Sequence, residues 1–270
     1  MEYQYDPVFL TQMERKRFPM PDLAGDALIR YVWDIEEVRD LMSIRAWYLA
    51  NDLRKEEIEQ LWVSEPEHRQ TASFGTNWGF YVGIDAISAW YVTAFRARRH
   101  SRKLAYEAAH PGAEGDLSIG CCNMLPATTP LIRVAKDGKT ARGIWYVNGQ
   151  RTELNPDGVS ADARWICGRL AVEFIREQDG WKIWHLADLN DMNYAAGTNY
   201  NDTPTYIPPD EDVMREEFGE PTIRMDVHIN AFNWTGTFPR TPEPYDTYQP
   251  ETGYGPEGHP AWHAVRKEVL

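Results

Sequence analysis

Residues 164–189, RWICGRLAVEFIREQDGWKIWHLADL, decide the fold expected of this chain. Apolar, aromatic and β-branched residues fill two runs, 164–176 and 181–189, and such runs are typical of strands. Asp179-Gly180 lies between the runs, and this dipeptide is the strongest short-range signal for a hairpin. The stretch therefore predicts an antiparallel hairpin whose register is set by a two-residue loop.

That register places Phe174 opposite His185 and sorts alternate residues onto two faces of the sheet. The first face would carry Ile166, Gly168, Leu170, Val172, Phe174, Ile183, His185 and Ala187. The second would carry Arg169, Glu173, Ile175, Lys182, Trp184 and Leu186. Because the first face is apolar except for His185, we expect it to line the inside of a curved sheet. A low dielectric there favours the neutral imidazole, which suits proton transfer. The alternative is a histidine that hydrogen-bonds a core group.

The remaining pattern places helices before strands. Apolar residues at spacings of three and four predict helices over residues 34–52, capped by Asp34, and 55–63, and a third helix that begins at Asp85. Further strands are expected near residues 80–82 and over 117–125, 131–135 and 141–147. This order is typical of an α+β domain whose curved sheet packs on its own helices.

The domain is expected to span residues 33–195. Residues 1–32 form a polar N-terminal arm, and residues 196–270 form an extension rich in proline and aromatic residues, with one short helix over 210–218. Such an aromatic tail is unsuited to a flexible linker. We expect it to wrap over the barrel or over a neighbouring subunit.

Charge and cysteine content narrow the functional classes. The chain has 28 Lys and Arg against 41 Asp and Glu, a net charge of −13, which argues against binding to nucleic acid or anionic membranes. Three cysteines make a poor disulfide framework, and no apolar run is long enough to span a bilayer. No signal peptide is visible at the N-terminus, so we expect a cytoplasmic protein.

The first long helix supplies a second candidate group. Tyr48 and Asp52 are four residues apart and lie on one side of that helix, with Trp47 beside them. A carboxylate and a phenol within reach of His185 would form an acid/base set. The alternative is that Asp52 merely ends the helix and Tyr48 belongs to the core. Arg142 could bind a substrate carboxylate or phenolate, although arginines in strands more often face solvent.

Several segments resemble the SnoaL-like branch of the nuclear transport factor 2-like superfamily. They are residues 35–41, 48–52, 83–90, 129–132, 137–141 and 163–185. The resemblance implies a cone-shaped α+β barrel, in which three helices close a curved antiparallel sheet around a deep apolar pocket. Members such as scytalone dehydratase, bile acid 7α-dehydratase and diarylpropane lyases that release formaldehyde act without a cofactor.

The same resemblance assigns roles to individual residues. Asp52 matches the family's helix aspartate, whereas Trp47 stands where a tyrosine is common. Related dehydratases often carry a histidine in the segment that is 121–125 here, but this chain has none, and Asn123 could only donate or accept a hydrogen bond. The expected catalytic residues are His185, Asp52 and Tyr48. The expected substrate-binding residues are Trp47, Asn123, Phe174, Arg142, Tyr81 and Trp165.

The resulting expectation is a lyase that needs no metal or cofactor. It would act on a hydrophobic aromatic or polycyclic molecule, with elimination of water or of a small carbonyl fragment such as formaldehyde. An isomerase, a cyclase or a non-catalytic binder of hydrophobic ligands would use the same pocket. The family commonly forms dimers or trimers through the outer face of the sheet, so a homodimer or homotrimer is expected, with Trp184, Ile175 and Leu186 in the contact.

Overall fold

A computed structural model describes residues 23–198, 218–225, 239 and 241–258 of the 270-residue chain. Outside the described residues lie most of the expected N-terminal arm, all but the last residue of the helix expected over 210–218, and the last twelve residues, 259–270. The division into arm, domain and extension therefore stays a prediction.

The helices come first along the chain, as expected. They are α1 (Asp26–Ala50), α2 (Arg54–Leu61), α3 (Pro66–Thr71), α4 (Ile84–Ser88) and α5 (Phe95–Ala109), with a π-helical turn at Ala89–Ala94 that joins the last two. The expected start at Asp34 is wrong, because α1 begins at Asp26. Asp34 lies buried within the helix, where its carboxylate pairs with Arg30 and Arg176.

One eight-stranded sheet packs on these helices. Its strands are β1 (Ser73–Thr76), β2 (Gly79–Val82), β3 (Cys122–Met124), β4 (Ala127–Val134), β5 (Thr140–Leu154), β6 (Ala161–Glu177), β7 (Gly180–Ala195) and β8 (Ile223–Arg224). The order is β3-β5-β6-β7-β1-β2-β8, with β4 on β5. All neighbours are antiparallel except β1 and β7. The long strands β5, β6 and β7 curve around the helices, which confirms the cone-shaped α+β fold.

The β6–β7 hairpin has a different register from the expected one. Glu177 pairs with Gly180, so the loop is Gln178-Asp179, and Phe174 pairs with Ile183. A bulge at Trp184 then sets His185 opposite Glu173. Because one extra residue exchanges the faces of everything that follows it, the expected pairing of Phe174 with His185 is wrong.

The bulge also corrects the assignment of faces on β7. Leu186 joins Val172 and Phe174 in the main core, on the inner face against the helices. Ala187 and Leu189 belong to a second cluster on the outer face, together with Tyr254 of the C-terminal extension. Leu186 therefore cannot form part of an outer-face contact between subunits.

Part of the extension lies on this outer face. The backbone N–H of Lys136 donates to the carbonyl of Tyr245, and the ring of Tyr254 is buried among the outer-face residues. No helix in the described part of the chain is long and apolar enough to cross a membrane.

Candidate active site

His185 lies on the outer face of the sheet and not inside the cone. It is 4% exposed, and its Nδ1 shares a 2.9 Å hydrogen bond with Ser73 Oγ. Gly255 of the extension covers the ring so closely that a Cβ on Gly255 would come within 3.1 Å of it. Burial, and then the nearby charge of Arg142, lower the pKa of His185 to about 3, so the ring is neutral at physiological pH.

Arg142 belongs to the same outer face. Its Nε donates to Glu173 Oε1 at 2.7 Å, and its two terminal nitrogens donate to Thr252 Oγ1 at 3.1 Å and to the carbonyl of Gln249 at 2.9 Å. The guanidinium also lies 4.7 Å from the ring centre of Tyr245. Arg142 therefore ties the extension to the sheet, and the expected role in substrate binding is not supported.

Trp47 and Tyr48 on α1, and Asp52 just after it, are placed differently from His185. Asp52 follows the end of α1 with a φ of 55°, and its Oδ1 accepts from Arg54 Nε at 3.0 Å. Tyr48 Oη donates to Gln60 Oε1 at 2.6 Å, which links α1 to α2. Trp47 is 68% exposed on the outside of α1, so it does not line a pocket.

The helix aspartate and the strand histidine are consequently separated by the sheet. α1 packs on the inner face, where it meets Phe174 and Leu186, whereas His185 lies with Glu173 on the other side. The acid/base set expected from the sequence is not assembled.

The other expected binding residues divide among three environments. Phe174 and Tyr81 fill the solid core, where Tyr81 stacks on Trp90 at 4.5 Å and donates to the Gly219 carbonyl at 3.3 Å. Trp165 is 37% exposed on the outer side of β6. Asn123 is buried on the inner face and lies opposite Arg151 of β5. Among Phe174, Tyr81, Trp165 and Asn123, it is therefore the residue that lies toward the interior of the cone beside a polar group.

A carboxylate that the sequence analysis did not single out lies on the inner face, at Asp188. It is half-buried on β7 opposite Leu170. Among the described residues, none hydrogen-bonds or ion-pairs with this carboxylate. Burial raises its pKa, partly offset by the positive charge of Arg45.

Behind Asp188 lies a fully satisfied polar cluster centred on Glu57. Glu57 is 0% exposed, and its Oε1 accepts from Arg45 Nε at 3.1 Å and from Trp62 Nε1 at 3.3 Å. Tyr91 Oη donates to Oε2 at 2.8 Å. Since every member has a partner, this cluster is suited to hold α1, α2 and the π-helical turn together and to set the electric field around Asp188.

The sequence pattern offered little sign of these groups. Glu57 occurs in a strongly charged helix, and charged residues of this kind are usually solvated. Asp188 interrupts an otherwise apolar run, Leu186-Ala187-Asp188-Leu189, which is the one local signal that could have identified it. An unpaired carboxylate with a raised pKa can accept a proton and later return it.

One cluster among the described residues has the spacing of a metal site. Ligand atoms of Glu65, His68 and Glu177 lie within 4.8 Å of one another. However, the Glu177 carboxylate already accepts from the backbone N–H groups of Ser64 and Glu65 and from Ser64 Oγ. These hydrogen bonds satisfy the backbone N–H groups that immediately precede α3, so a structural role accounts for the cluster.

The chain was compared with known proteins. None of the curated proteins matches it. Among solved structures, it is similar to a protein from Novosphingobium aromaticivorans, described as NTF2-like with a cystatin-like fold, at 18% identity. The match covers 63% of this chain and 91% of the other, with a TM-score of 0.41. It is also similar to the hexachlorocyclohexane dehydrochlorinase LinA-type3 from Novosphingobium barchaimii, at 13% identity, with coverage of 67% and 99% and a TM-score of 0.41.

The family comparison covers more than half of the chain. The model of the SnoaL-like domain matches residues 30–187, which include all of α1 except its first four residues, α2 to α5, and the sheet as far as Ala187 of β7. The chain belongs to the SnoaL-like domain family.

Proposed function

We propose that this protein is a cofactor-independent acid/base lyase that acts on a hydrophobic aromatic or polycyclic small molecule. The proposal rests on one observation above all, the half-buried and unpaired Asp188 carboxylate on the inner face of the cone. Its raised pKa brings the carboxylate and the carboxylic acid closer in free energy, which is the property a general base needs.

A single carboxylate can carry out the whole elimination. Asp188 accepts the proton from the carbon next to the one that bears the leaving hydroxyl, and the C–H electrons form the new double bond. The carboxylic acid then returns that proton to the departing oxygen, so water leaves and Asp188 is regenerated. For a hydroxymethyl substituent, transfer of the O–H proton to Asp188 with C–C cleavage releases formaldehyde instead, and the proton returns to carbon.

The aromatic residues around Glu57 support the choice of substrate. Trp62, which follows α2, and Tyr91, in the π-helical turn, are buried in the main core, and both donate to Glu57. Rings of this kind bind flat apolar molecules through area and stacking. A cytoplasmic location and a homodimer or homotrimer remain proposals that accompany this function.

The test is a screen of aromatic alcohols for loss of water, by mass spectrometry, and for released formaldehyde, by a colorimetric assay. Wild-type protein is compared with Asp188→Asn and with Asp85→Asn, which makes the same change at an exposed position on α4. We expect turnover by wild type and Asp85→Asn only. Exchange of deuterium into the substrate without loss of water or formaldehyde would favour an isomerase. Binding without exchange or turnover would favour a non-catalytic binder.

A further inference from the structure

Four arginines from α2, α5 and β5 gather around Asp52 and Glu153. They are Arg54, Arg98, Arg99 and Arg151, and the described carboxylates among them are Asp52 and Glu153. Arg98 pairs with Glu153 through two nitrogens, and Arg54 Nε donates to Asp52 Oδ1 at 3.0 Å. Both carboxylates are thus already engaged.

Arg99 is a buried arginine with unused hydrogen-bond donors. The residue is 5% exposed, and neither its Nε nor its Nη1 has a hydrogen-bond partner. Its ion-pair contact, from Nε to Asp52 Oδ2, is 3.7 Å and too long for a hydrogen bond. Buried guanidinium N–H groups without acceptors cost free energy, so native proteins rarely leave them unpaired without a reason.

Arg151 is a second cation with unused donors. It lies on the inner side of β5 opposite Asn123 and is half-buried. Within the described ranges, it makes neither a hydrogen bond nor an ion pair. Burial lowers the pKa of both Arg99 and Arg151, as expected for cations held away from water. An anionic ligand would supply hydrogen-bond acceptors for both guanidinium groups.

Two members of this arginine cluster lie close enough to Asp188 to act on it electrostatically. Arg54 and Arg151 both act on the pKa of Asp188 through their charges. The guanidinium of Arg54 also lies 4.1 Å from the ring centre of Phe95 and 4.4 Å from that of Tyr91. The unused donors of Arg151, the rings beside Arg54 and the proposed base therefore lie on the same inner side of the sheet.

We infer that Arg99 and Arg151 bind a carboxylate group of the substrate, so that the substrate is an aromatic acid. The inference rests on the proposed function, because it places this substrate beside Asp188. Guanidinium groups match the planar geometry of a carboxylate with paired hydrogen bonds. The chain as a whole carries a charge of −13, so its long-range field disfavours anions, and recognition depends on the local donors.

Calorimetric titration of the full chain with cinnamate and with cinnamamide tests this inference. The two probes have the same shape, and only cinnamate carries a charge. We expect cinnamate to bind at least about tenfold more tightly, because only the anion supplies acceptors strong enough for the unused guanidinium donors. Arg99→Met and Arg151→Met should each lose most of that preference, whereas Arg39→Met, at an exposed position on α1, should keep it.

A destabilised Arg99→Met protein would not prevent the test. Arg99→Lys keeps the charge and loses the fork of donors, so it should fold and show a reduced preference for cinnamate. Equal binding of the two probes to wild type, or full preference for cinnamate in Arg99→Lys and Arg151→Met, would overturn the inference. Tighter binding of inorganic phosphate than of cinnamate would also overturn it, since it would identify a phosphate site.

Asp188→Asn separates the two proposals. We expect this variant to bind cinnamate at least as tightly as wild type, because a nearby negative charge is removed, and to lose turnover. Retained turnover in Asp188→Asn, with cinnamate binding still dependent on Arg99, would reject the proposed base and leave the carboxylate site standing. Lost turnover in Asp188→Asn, together with equal binding of cinnamate and cinnamamide to wild type, would reject the carboxylate site and leave the proposed base standing.

Discussion

Asp188 and His185 are three residues apart on β7, and their side chains lie on opposite faces of the sheet. Asp188 lies opposite Leu170 and shares the inner face with the helices. His185 lies opposite Glu173 and is covered by the C-terminal extension. The base in our proposal is therefore Asp188, whereas His185 is part of the contact between the sheet and the extension.

His185 should make stability depend on pH. Its folded-state pKa of about 3 is below the ordinary value of 6.5, so acid protonates the unfolded chain first. The stabilisation that the neutral His185 ring contributes is fully present above pH 6.5. It is lost as the pH falls toward the folded-state pKa of about 3. The slope due to this one group is at most about 1.4 kcal/mol per pH unit. Urea unfolding of wild type and His185→Gln at pH 7 and pH 5 measures the effect.

His100→Gln is the matched control, because His100 is exposed on α5. We expect wild type and His100→Gln to lose the same stability between pH 7 and pH 5, and His185→Gln to lose less. An identical pH dependence in all three proteins would show that the imidazole of His185 is accessible to water and not buried as described.

The pair Arg142–Glu173 should behave as a buried ion pair. Glu173 is 1% exposed, and burial raises its pKa although Arg142 opposes that shift. Arg142→Met leaves this carboxylate without its partner, and breaking such a pair typically costs about 3–5 kcal/mol. The double variant Arg142→Met/Glu173→Met should recover much of the loss, as measured by chemical unfolding. Additive losses in the double variant would indicate that the two side chains are not coupled.

Trp47 and Trp62 should differ sharply in their contribution to stability. Trp62 is 0% exposed, stacks on Phe74 and donates to Glu57, whereas Trp47 is 68% exposed. We expect Trp62→Ala to cost about 3–5 kcal/mol and Trp47→Ala to change stability by less than about 0.5 kcal/mol. Thermal unfolding followed by circular dichroism compares them. A large loss in Trp47→Ala would mean that the outer side of α1 is covered in solution.

Glu177 should stabilise the start of α3. Burial acts to raise its pKa, but hydrogen bonds from Ser64, His68 and Glu65 lower it overall, so the carboxylate form is the one the fold uses. Glu177→Gln keeps the size and removes the charge, and we expect a loss of about 1–2 kcal/mol, as for other helix-start partners. Chemical unfolding at pH 7 measures it. Glu67→Gln, exposed in the first turn of α3, should be near neutral by comparison.

The sequence was sufficient to predict the fold, because apolar residues recur with a different spacing in helices and in strands. Spacings of three and four marked α1 and α2, and alternation marked β6 and β7. It was insufficient for the faces of β7, because the bulge at Trp184 adds a residue without leaving a trace in the alternation. Every position after the bulge was therefore assigned to the wrong side.

The site was harder to predict than the fold for a related reason. Asp52 was expected in the chamber from the resemblance, and it does lie beside the arginine cluster, but in contact with Arg54 and not with a histidine. Arg99 occurs in a helix rich in arginine, where a solvated face is the usual explanation. Only the three-dimensional arrangement shows that its donors are buried and unused.

The most direct test of the account compares Asp188→Asn with His185→Gln on one substrate found in the screen. We expect Asp188→Asn to lower kcat/KM by about 10²–10⁴, the contribution usual for a general base. His185→Gln should retain wild-type kcat/KM once the folded fraction is taken into account. Full activity in Asp188→Asn together with inactive, folded His185→Gln would contradict the account, because it would place the chemistry on the outer face of the sheet.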